Sequence, residues 1–522
     1  MIGEDSYLDA LAQNSLTSQT DKLEEIEPRR LWLLPSPEVL VFCLVFLAAL
    51  TFMPSMMNGD GDLGRHLTIG EYILESGKIP TSDLFSHTLE GQRLVPHEWL
   101  SQVLFALSHR VAGMNGVAWL TALVLAASYA ILTAGLRKMG VHALFGLAAG
   151  LTAALVGWLH TLTRPHIFTM LIFTVFLVLL EHFRRDRRWH PLLLLPLLMI
   201  IWANMHGAFI SGLVLVALYA LGAALERKPR DVLIFIGLLL LLWLVSWLNP
   251  IGRPLAMHSF GYLQERFLVN VTVEYQSPDF HSLSTWPFLL ILLTSLVLGW
   301  RAKGRMTWTP LVLLVSWTAL ALYSARNIPL YGQVAVFFLA WEASHWVDNG
   351  WSAMGRFLSR TDVASQRSWG WMWAGLMVLV LIGLQTMDVT FDAWRMGNGF
   401  DPRVLPVEAV DALEGSIPDG PVFNEFTWGG YLLYRLWPDK QVFIDGQTDF
   451  YGEELTRDYL TVVNAAPGWE EILERDDVQW VIVRPLRPIS FWLEREAGWE
   501  MLYEDGTAVV WVRSRPEVEI IG

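Results

Sequence analysis

The segment Asn58-Gly59-Asp60-Gly61-Asp62-Leu63-Gly64-Arg65-His66-Leu67 places two carboxylates two residues apart, directly after an apolar run. Carboxylates so spaced can share a hard divalent cation, Mg2+ or Mn2+, or divide their labour, one acting as general base while the other stays ionised. The same residues also suit helix capping, because Asp62 precedes a segment that reads as a helix to about Glu75. Three further turns carry polar groups at the ends of apolar runs: His160-Thr161-Leu162-Thr163-Arg164-Pro165-His166, Trp202-Ala203-Asn204-Met205-His206-Gly207 and Ser324-Ala325-Arg326-Asn327. A guanidinium matches phosphate oxygens bidentately, so Arg164 and Arg326 are candidate phosphate ligands, with His166 and His206 beside them. A snorkelling arginine or a hydrogen-bonded core histidine explains any one of these alone. Their recurrence on one side favours a shared cavity. Glu274, in Val271-Thr272-Val273-Glu274-Tyr275, adds a carboxylate that would join Asp60 and Asp62 if the site holds a metal. His97-Glu98-Trp99 opens an amphipathic helix to about Arg110 that reads as structural, with His97 and Glu98 behind the site.

The elements that must position these groups follow from composition. Apolar residues make up 53% of 522 residues and charged residues 17%, against ~45–50% and ~25% in soluble domains. The excess lies in eleven runs, near 37–55, 114–136, 141–160, 165–183, 191–206, 207–225, 231–249, 286–300, 307–324, 328–346 and 370–387, each approaching the length of a bilayer crossing. Residues 1–36 are acidic and lack the basic start of a secretory signal, so they read as a cytoplasmic segment before a retained anchor. Alternate connections hold Arg137 and Lys138, the Arg184–Arg188 group, Arg227 to Arg230, and Arg301 to Arg305. This basic side reads as cytoplasmic. The other side carries loops 56–113 and 250–285 and the tail 388–522. A net charge of −14 disfavours nucleic acid as partner, and a single cysteine, Cys43, rules out an intrachain disulfide and any CxxC motif.

The tail reads as a small α/β domain. Strands are expected at Gln441–Ile444, Val478–Val483 and Ala508–Val512, and helices at Val407–Leu413 and Glu453–Val463. It carries Trp428-Gly429-Gly430-Tyr431 and Phe443-Ile444-Asp445-Gly446-Gln447-Thr448-Asp449, where glycines permit close backbone approach.

Together these motifs resemble the GT-C class of membrane glycosyltransferases, and within it the Stt3 and AglB oligosaccharyltransferases. Asp62 with His66-Leu67 matches the family's Asp followed four residues later by His-Leu, and Ile79-Pro80 with Asp83 is similar to the continuation of that loop. Thr272-Val273-Glu274 resembles the Glu motif of the family's mobile external loop, Arg326 its late arginine, and Trp428-Gly429-Gly430-Tyr431 the motif opening its soluble domain. The layout is also similar to a set of uncharacterised bacterial membrane proteins. Eleven runs stand where the transferases have thirteen spans, and Gly replaces the Asp of the tail motif.

The resemblance implies a polytopic α-helical membrane protein with a GT-C-like domain over 37–387 and an extracytoplasmic α/β domain over 388–522. It implies transfer of a sugar from a polyprenyl-phosphate-linked donor to a glycan, lipid or protein acceptor at the outer face of the plasma (inner) membrane. Asp62 would be the base, assisted by Asp60; Arg164, His166, His206 and Arg326 would face the donor phosphate; His66, Asn204, Glu274, Trp428 and Tyr431 would support them. Two rival readings stand beside it: a transporter or flippase for a lipid-linked or anionic solute, and a non-catalytic assembly protein whose tail binds a partner. The first lacks the repeated halves and midplane sites usual in transporters. The second predicts no need for Asp60 or Asp62.

Overall fold

The computed structural model describes residues 35–262, 267, 272–302, 306–350, 355, 358, 361–362, 370–386 and 398–514. The expected cytoplasmic segment 1–36 lies outside them except for its last two residues. Each of the eleven apolar runs carries a helix: α1 Pro37–Thr51, α3 Trp99–Lys138, α4 Ala143–Gly157, α5 His166–Asp186, α6 Leu194–Met205, α7 Ile210–Leu225, α8 Pro229–Val245, α10 Trp286–Arg301, α11 Trp308–Tyr323, α12 Ile328–Gly350 and α13 Trp371–Thr386. Between them lie α2 (Asp62–Ser76) and α9 (Arg253–Tyr262) in the two long loops. Among the described residues, five helices are long and apolar enough to cross a membrane: Trp99–Lys138, Ala143–His160, His166–Asp186, Gly207–Leu225 and Leu283–Arg301. Shorter apolar helices accompany them, and the chain is a multi-pass membrane protein. The amphipathic helix expected before the second run is continuous with it, joined through a kink where Ala112 and Gly113 leave helical geometry.

The antiparallel succession of helices sorts charge by end. Arg137 and Lys138 close α3, Arg184 and Arg185 close α5, and both arginines bind Glu181. Arg187 binds Asp231 at the start of α8 in the same set of turns. The opposite ends hold the turns 160–166, 204–209 and 324–327, with the Asp62 helix.

Residues 398–514 form a four-stranded sheet in the order β1-β2-β4-β3, with β1 Val422–Asn424, β2 Trp480–Val483, β3 Trp499–Glu504 and β4 Val509–Arg513. β1 and β2 run parallel, and the remaining pairs are antiparallel. Helices α14 (Val407–Ala412), α15 (Gly429–Leu436), α16 (Thr448–Val463), α17 (Trp469–Arg475) and α18 (Pro488–Leu493) pack around it. The central strands are apolar at successive positions because both faces are covered. Trp480, Ile482 and Val510 face a core shared with α14 and α15, while Val481, Val483, Val509 and Trp511 face α16, α17 and α18.

One expected strand is corrected. Gln441–Ile444 lies outside the sheet because the Asn424 side chain takes the place of a neighbouring strand: its Oδ1 accepts the Phe443 N–H (2.8 Å) and its Nδ2 donates to the Ile444 carbonyl (2.8 Å). Val442 instead bridges Ser86 of the first loop. Strands β1 and β3 were not anticipated; β1 is only three residues long and β3 is largely exposed, so neither carries a strong pattern.

The tail is joined to the helical part through α2. Ile69 and Ile73 of α2 and Phe85 of the first loop complete the apolar core of the tail. Backbones touch where α2 meets α15: a Cβ on Gly64 would lie 2.3 Å from the Gly430 carbonyl oxygen, and one on Gly430 2.4 Å from the Gly61 oxygen. This contact accounts for Gly430 of the Trp428-Gly429-Gly430-Tyr431 motif, while a Cβ on Gly429 would lie 2.2 Å from the Ile444 carbonyl oxygen.

Candidate functional site

Arg164 is the centre of the acidic group. Its Nη1 lies 2.9 Å from Asp60 Oδ2 and 2.8 Å from Glu274 Oε1, and its Nη2 donates to Asp62 Oδ2. The turn that carries it is braced from both sides. Thr163 N–H donates to the Met56 carbonyl (3.0 Å), and His166 Nε2 donates to the His160 carbonyl (2.6 Å). Asp62 is the first residue of α2 rather than its cap, and Asp60 Oδ1 accepts the Asp62 N–H (3.1 Å). Burial pushes the Asp60 carboxyl up to about 6, against the pull of Arg164. Burial also raises Glu274, but the Arg164 and Arg326 guanidiniums outweigh it and hold that carboxyl near about 2. Desolvation of Arg164 is more than offset by Asp60, Asp62 and Glu274, which keep it protonated.

This geometry bears on the expected metal set. Asp60, Asp62 and Glu274 converge on a guanidinium, not on one another. Among the described residues, the group of three ligand atoms lying within 4.8 Å of each other is His97, His258 and Asp449. The three acidic residues therefore do not fit an Mg2+ or Mn2+ site in this arrangement. Arg164, expected at the donor phosphate, stands among the carboxylates.

Glu274 is fixed by the chain around it. The Ser324 hydroxyl donates to the Glu274 carbonyl (3.2 Å) and the Ala325 N–H to the Gln276 carbonyl (2.9 Å), tying the strap to the turn that carries Arg326. Arg326 Nη1 donates to the Tyr275 hydroxyl, and its guanidinium lies 5.1 Å from that ring's centre. Its Nη2 is 3.4 Å from His206 Nε2. Thr169 Oγ1 lies 2.8 Å from both Trp202 Nε1 and His206 Nδ1. If His206 gives its Nδ1–H to Thr169, its Nε2 is the acceptor facing Arg326.

A second charged group adjoins the first. Glu98 lies 3.7 Å from Arg65 Nη2, 3.9 Å from His66 Nδ1, 3.8 Å from His97 Nε2 and 4.0 Å from His206 Nε2. Arg65 also donates to Gln447 Oε1 (3.0 Å) and lies 3.8 Å from Asp445 Oδ1. His66 is buried, with Nε2 lacking a hydrogen-bond partner among the described residues. Burial first, then the Arg65 and Arg164 charges, hold it well below the usual histidine range, so it is neutral. The tail contributes here directly: a Cβ on Gly446 would sit 1.7 Å from Asp62 Oδ1.

The structure thus brings together Asp60, Asp62, Arg164, Glu274 and Arg326, with His66 and His206 at their side. It sets three expected residues apart. Asn204 is consumed by structure, accepting from Trp99 Nε1 (2.7 Å) and donating to the Ile200 and Leu248 carbonyls. Trp428 is buried in the tail core and donates to the Val404 carbonyl (2.9 Å). Tyr431 packs on Phe400 and accepts from Arg435. His166 braces the Arg164 turn. Glu98 stands behind the site as expected, whereas Arg65, Asp445, Gln447 and Tyr275 were not expected as members of the group. The Asp445-Gly446-Gln447 motif was visible in sequence, but its partner lies in α2, far away along the chain.

Beside Asn204, a cavity of about 580 Å3 opens between Trp99, Leu100, Ile201, Trp247 and Leu248.

No protein-family model and no curated protein matches the chain. Solved structures do. Over 93% of this chain and 74% of its own length, the Archaeoglobus fulgidus oligosaccharyltransferase AglB, in complex with an inhibitory peptide and a dolichol-phosphate, is similar with a TM-score of 0.57 at 10% identity. The apo form of the A. fulgidus oligosaccharyltransferase gives 0.54 at 12% identity, over 93% of this chain and 75% of that one. ArnT from Cupriavidus metallidurans, in the apo state, gives 0.46 at 14%, over 91% and 97%. The fold is that of the oligosaccharyltransferases, as the motif resemblance implied.

Proposed function

We propose that the chain is an integral-membrane glycosyltransferase that moves a sugar from a polyprenyl-phosphate-linked donor to an acceptor at the extracytoplasmic face. The carrying observation is the convergence of Asp60, Asp62 and Glu274 on Arg164, with Arg326 and His206 alongside, at the bundle end opposite the basic turns. In this reading all eleven helices cross the membrane, the N-terminus is cytoplasmic, and 388–522 is an extracytoplasmic domain. The likeness to AglB, whose structure holds dolichol-phosphate, supports a lipid-phosphate donor.

The chemistry is a displacement at the anomeric carbon. The acceptor heteroatom forms the new bond, the bond to the carrier phosphate breaks, and its electron pair leaves with the phosphate. Asp62 accepts the acceptor's proton or orients the attacking group. Arg326, with His206, meets the negative charge that grows on the leaving phosphate, where preorganised donors contribute most. Arg164 holds Asp60, Asp62 and Glu274 in register and supplies the positive charge their clustering requires, so no step is assigned to a metal at these residues. The cavity beside Asn204 admits the prenyl chain two residues from His206.

The test is transfer from a synthetic polyprenyl-phosphate-linked sugar by purified protein, compared with Asp62→Asn. The variant is expected to keep its expression and thermal unfolding profile while losing transfer. Full transfer by Asp62→Asn would remove the proposed base.

A further inference from the structure

His97, His258 and Asp449 come from three separate parts of the chain: the residue pair before α3, helix α9 in the second long loop, and the start of α16 in the tail. One ring nitrogen of each histidine and one carboxylate oxygen lie within 4.8 Å of each other. His258 Nε2 is 2.9 Å from Asp449 Oδ2, His97 Nδ1 is 3.9 Å from that oxygen, and the two imidazole centres are 5.8 Å apart. A tetrahedral ion with bonds of about 2.0–2.2 Å separates its ligands by roughly 3.3–3.6 Å. The observed separations bracket that value, so small side-chain rotations would close the set around an ion. None of the three groups is freely exposed; their side chains are between 15% and 25% accessible.

The geometry points to a binding site for a divalent transition ion of the zinc class at His97, His258 and Asp449, distinct from the Arg164 cluster. Two imidazoles and one carboxylate are borderline ligands that favour Zn2+ over Mg2+ or Ca2+, which take oxygen-rich shells. Three protein ligands leave one coordination position open for water or another group. The ion joins segments that already lie together: the Arg457 guanidinium of α16 sits 4.1 Å from the ring centre of Phe267, in the same loop as His258. That loop continues to Glu274. Zn2+ would therefore clamp the loop bearing Glu274 against the tail, and the ion acts as a staple rather than as a reactant. The inference stands on this cluster alone and does not depend on the sugar-transfer reading.

The experiment uses full-length protein in detergent, stripped with EDTA and re-equilibrated with Zn2+, Co2+, Mg2+ or Ca2+. Bound metal is measured by elemental analysis, and Co2+ is used as a spectroscopic reporter of imidazole ligation. One equivalent of Zn2+ is expected, with a higher unfolding temperature and slower proteolysis within 250–285, and neither effect from Mg2+ or Ca2+. His258→Ala and Asp449→Asn should each lose the equivalent, His258→Cys should restore it, and Glu274→Gln should keep it. Retention of Zn2+ by both His258→Ala and Asp449→Asn, or its loss in Glu274→Gln alone, would overturn the site. The stoichiometry is read on monodisperse protein, and Asp449→Asn decides if His258→Ala fails to fold.

Discussion

At the scale of single residues, the arrangement turns on how one guanidinium serves three carboxylates. A lysine at 164 presents a compact charge without the planar fork, and cannot engage Asp60, Asp62 and Glu274 together. Arg164→Lys is expected to lower the transfer rate by about 10²-fold, the usual cost of one misplaced electrostatic group, read from kcat with donor saturating. Arg164→Ala leaves the three carboxylates without their cation. Mn2+ should then raise the unfolding temperature of Arg164→Ala while leaving that of the parent at this cluster unchanged in the Asp449→Asn background. Equal Mn2+ shifts in both would show that the guanidinium does not stand in the cation's place.

Asp445 gives a pH dependence with a definite sign. Burial first, opposed by Arg65 and the Gln447 N–H and aided by Asp62 and Asp83, lifts its carboxyl to about 6. A raised carboxyl means the folded state holds the proton more tightly than the unfolded chain does. Its contribution to stability is full below about 4 and is lost as pH rises through about 6. Asp445→Asn should flatten this part of the unfolding-temperature profile between pH 4 and 7. An unchanged slope would assign the dependence to another group.

At the scale of elements, docking of α15 on α2 depends on glycines that let backbones meet. Gly430→Val forces side-chain atoms against the Gly61 carbonyl and should destabilise the protein by about 1–3 kcal/mol or more, as overpacking does. Gly446→Ala is a different case, because its Cβ meets the Asp62 carboxylate. It should impair transfer more than it lowers the unfolding temperature. A loss of stability with normal transfer by the surviving folded protein would show that Gly446 shapes the tail and not the site. Asn424 illustrates why element-level reading failed at Gln441–Ile444: one amide side chain satisfies the backbone that an adjacent strand would have paired.

At the scale of the whole molecule, the helical part and the tail share a core. Ile69, Ile73 and Phe85 cover Leu432, Trp480 and neighbouring apolar groups of the tail. Residues 398–514 produced alone should therefore expose this face and self-associate, while the same segment supplied with 56–113 should be more soluble, as judged by size-exclusion chromatography. A monodisperse, folded isolated tail would favour the reading in which it acts as an independent partner-binding module. The basic turns at one end and the polar cluster at the other give the molecule its sidedness, because short connections force successive apolar helices to alternate direction.

The amino-acid sequence by itself determined the helices of the membrane part, since long apolar runs with polar turns admit little else, and it singled out Asp60, Asp62, Arg164, Glu274 and Arg326 as unusual. Those residues are legible because a charge at the end of an apolar helix is costly and stands out locally. The tertiary structure alone decided what they touch. It set Arg164 among carboxylates, gave Asn204, Trp428 and Tyr431 hydrogen-bond partners within the fold, and brought Glu98 and Asp445 to Arg65. The pairings of Arg164 with Asp62 and Glu274 span 102 and 110 positions and that of Arg65 with Gln447 spans 382, and no local periodicity or spacing encodes a contact of that range.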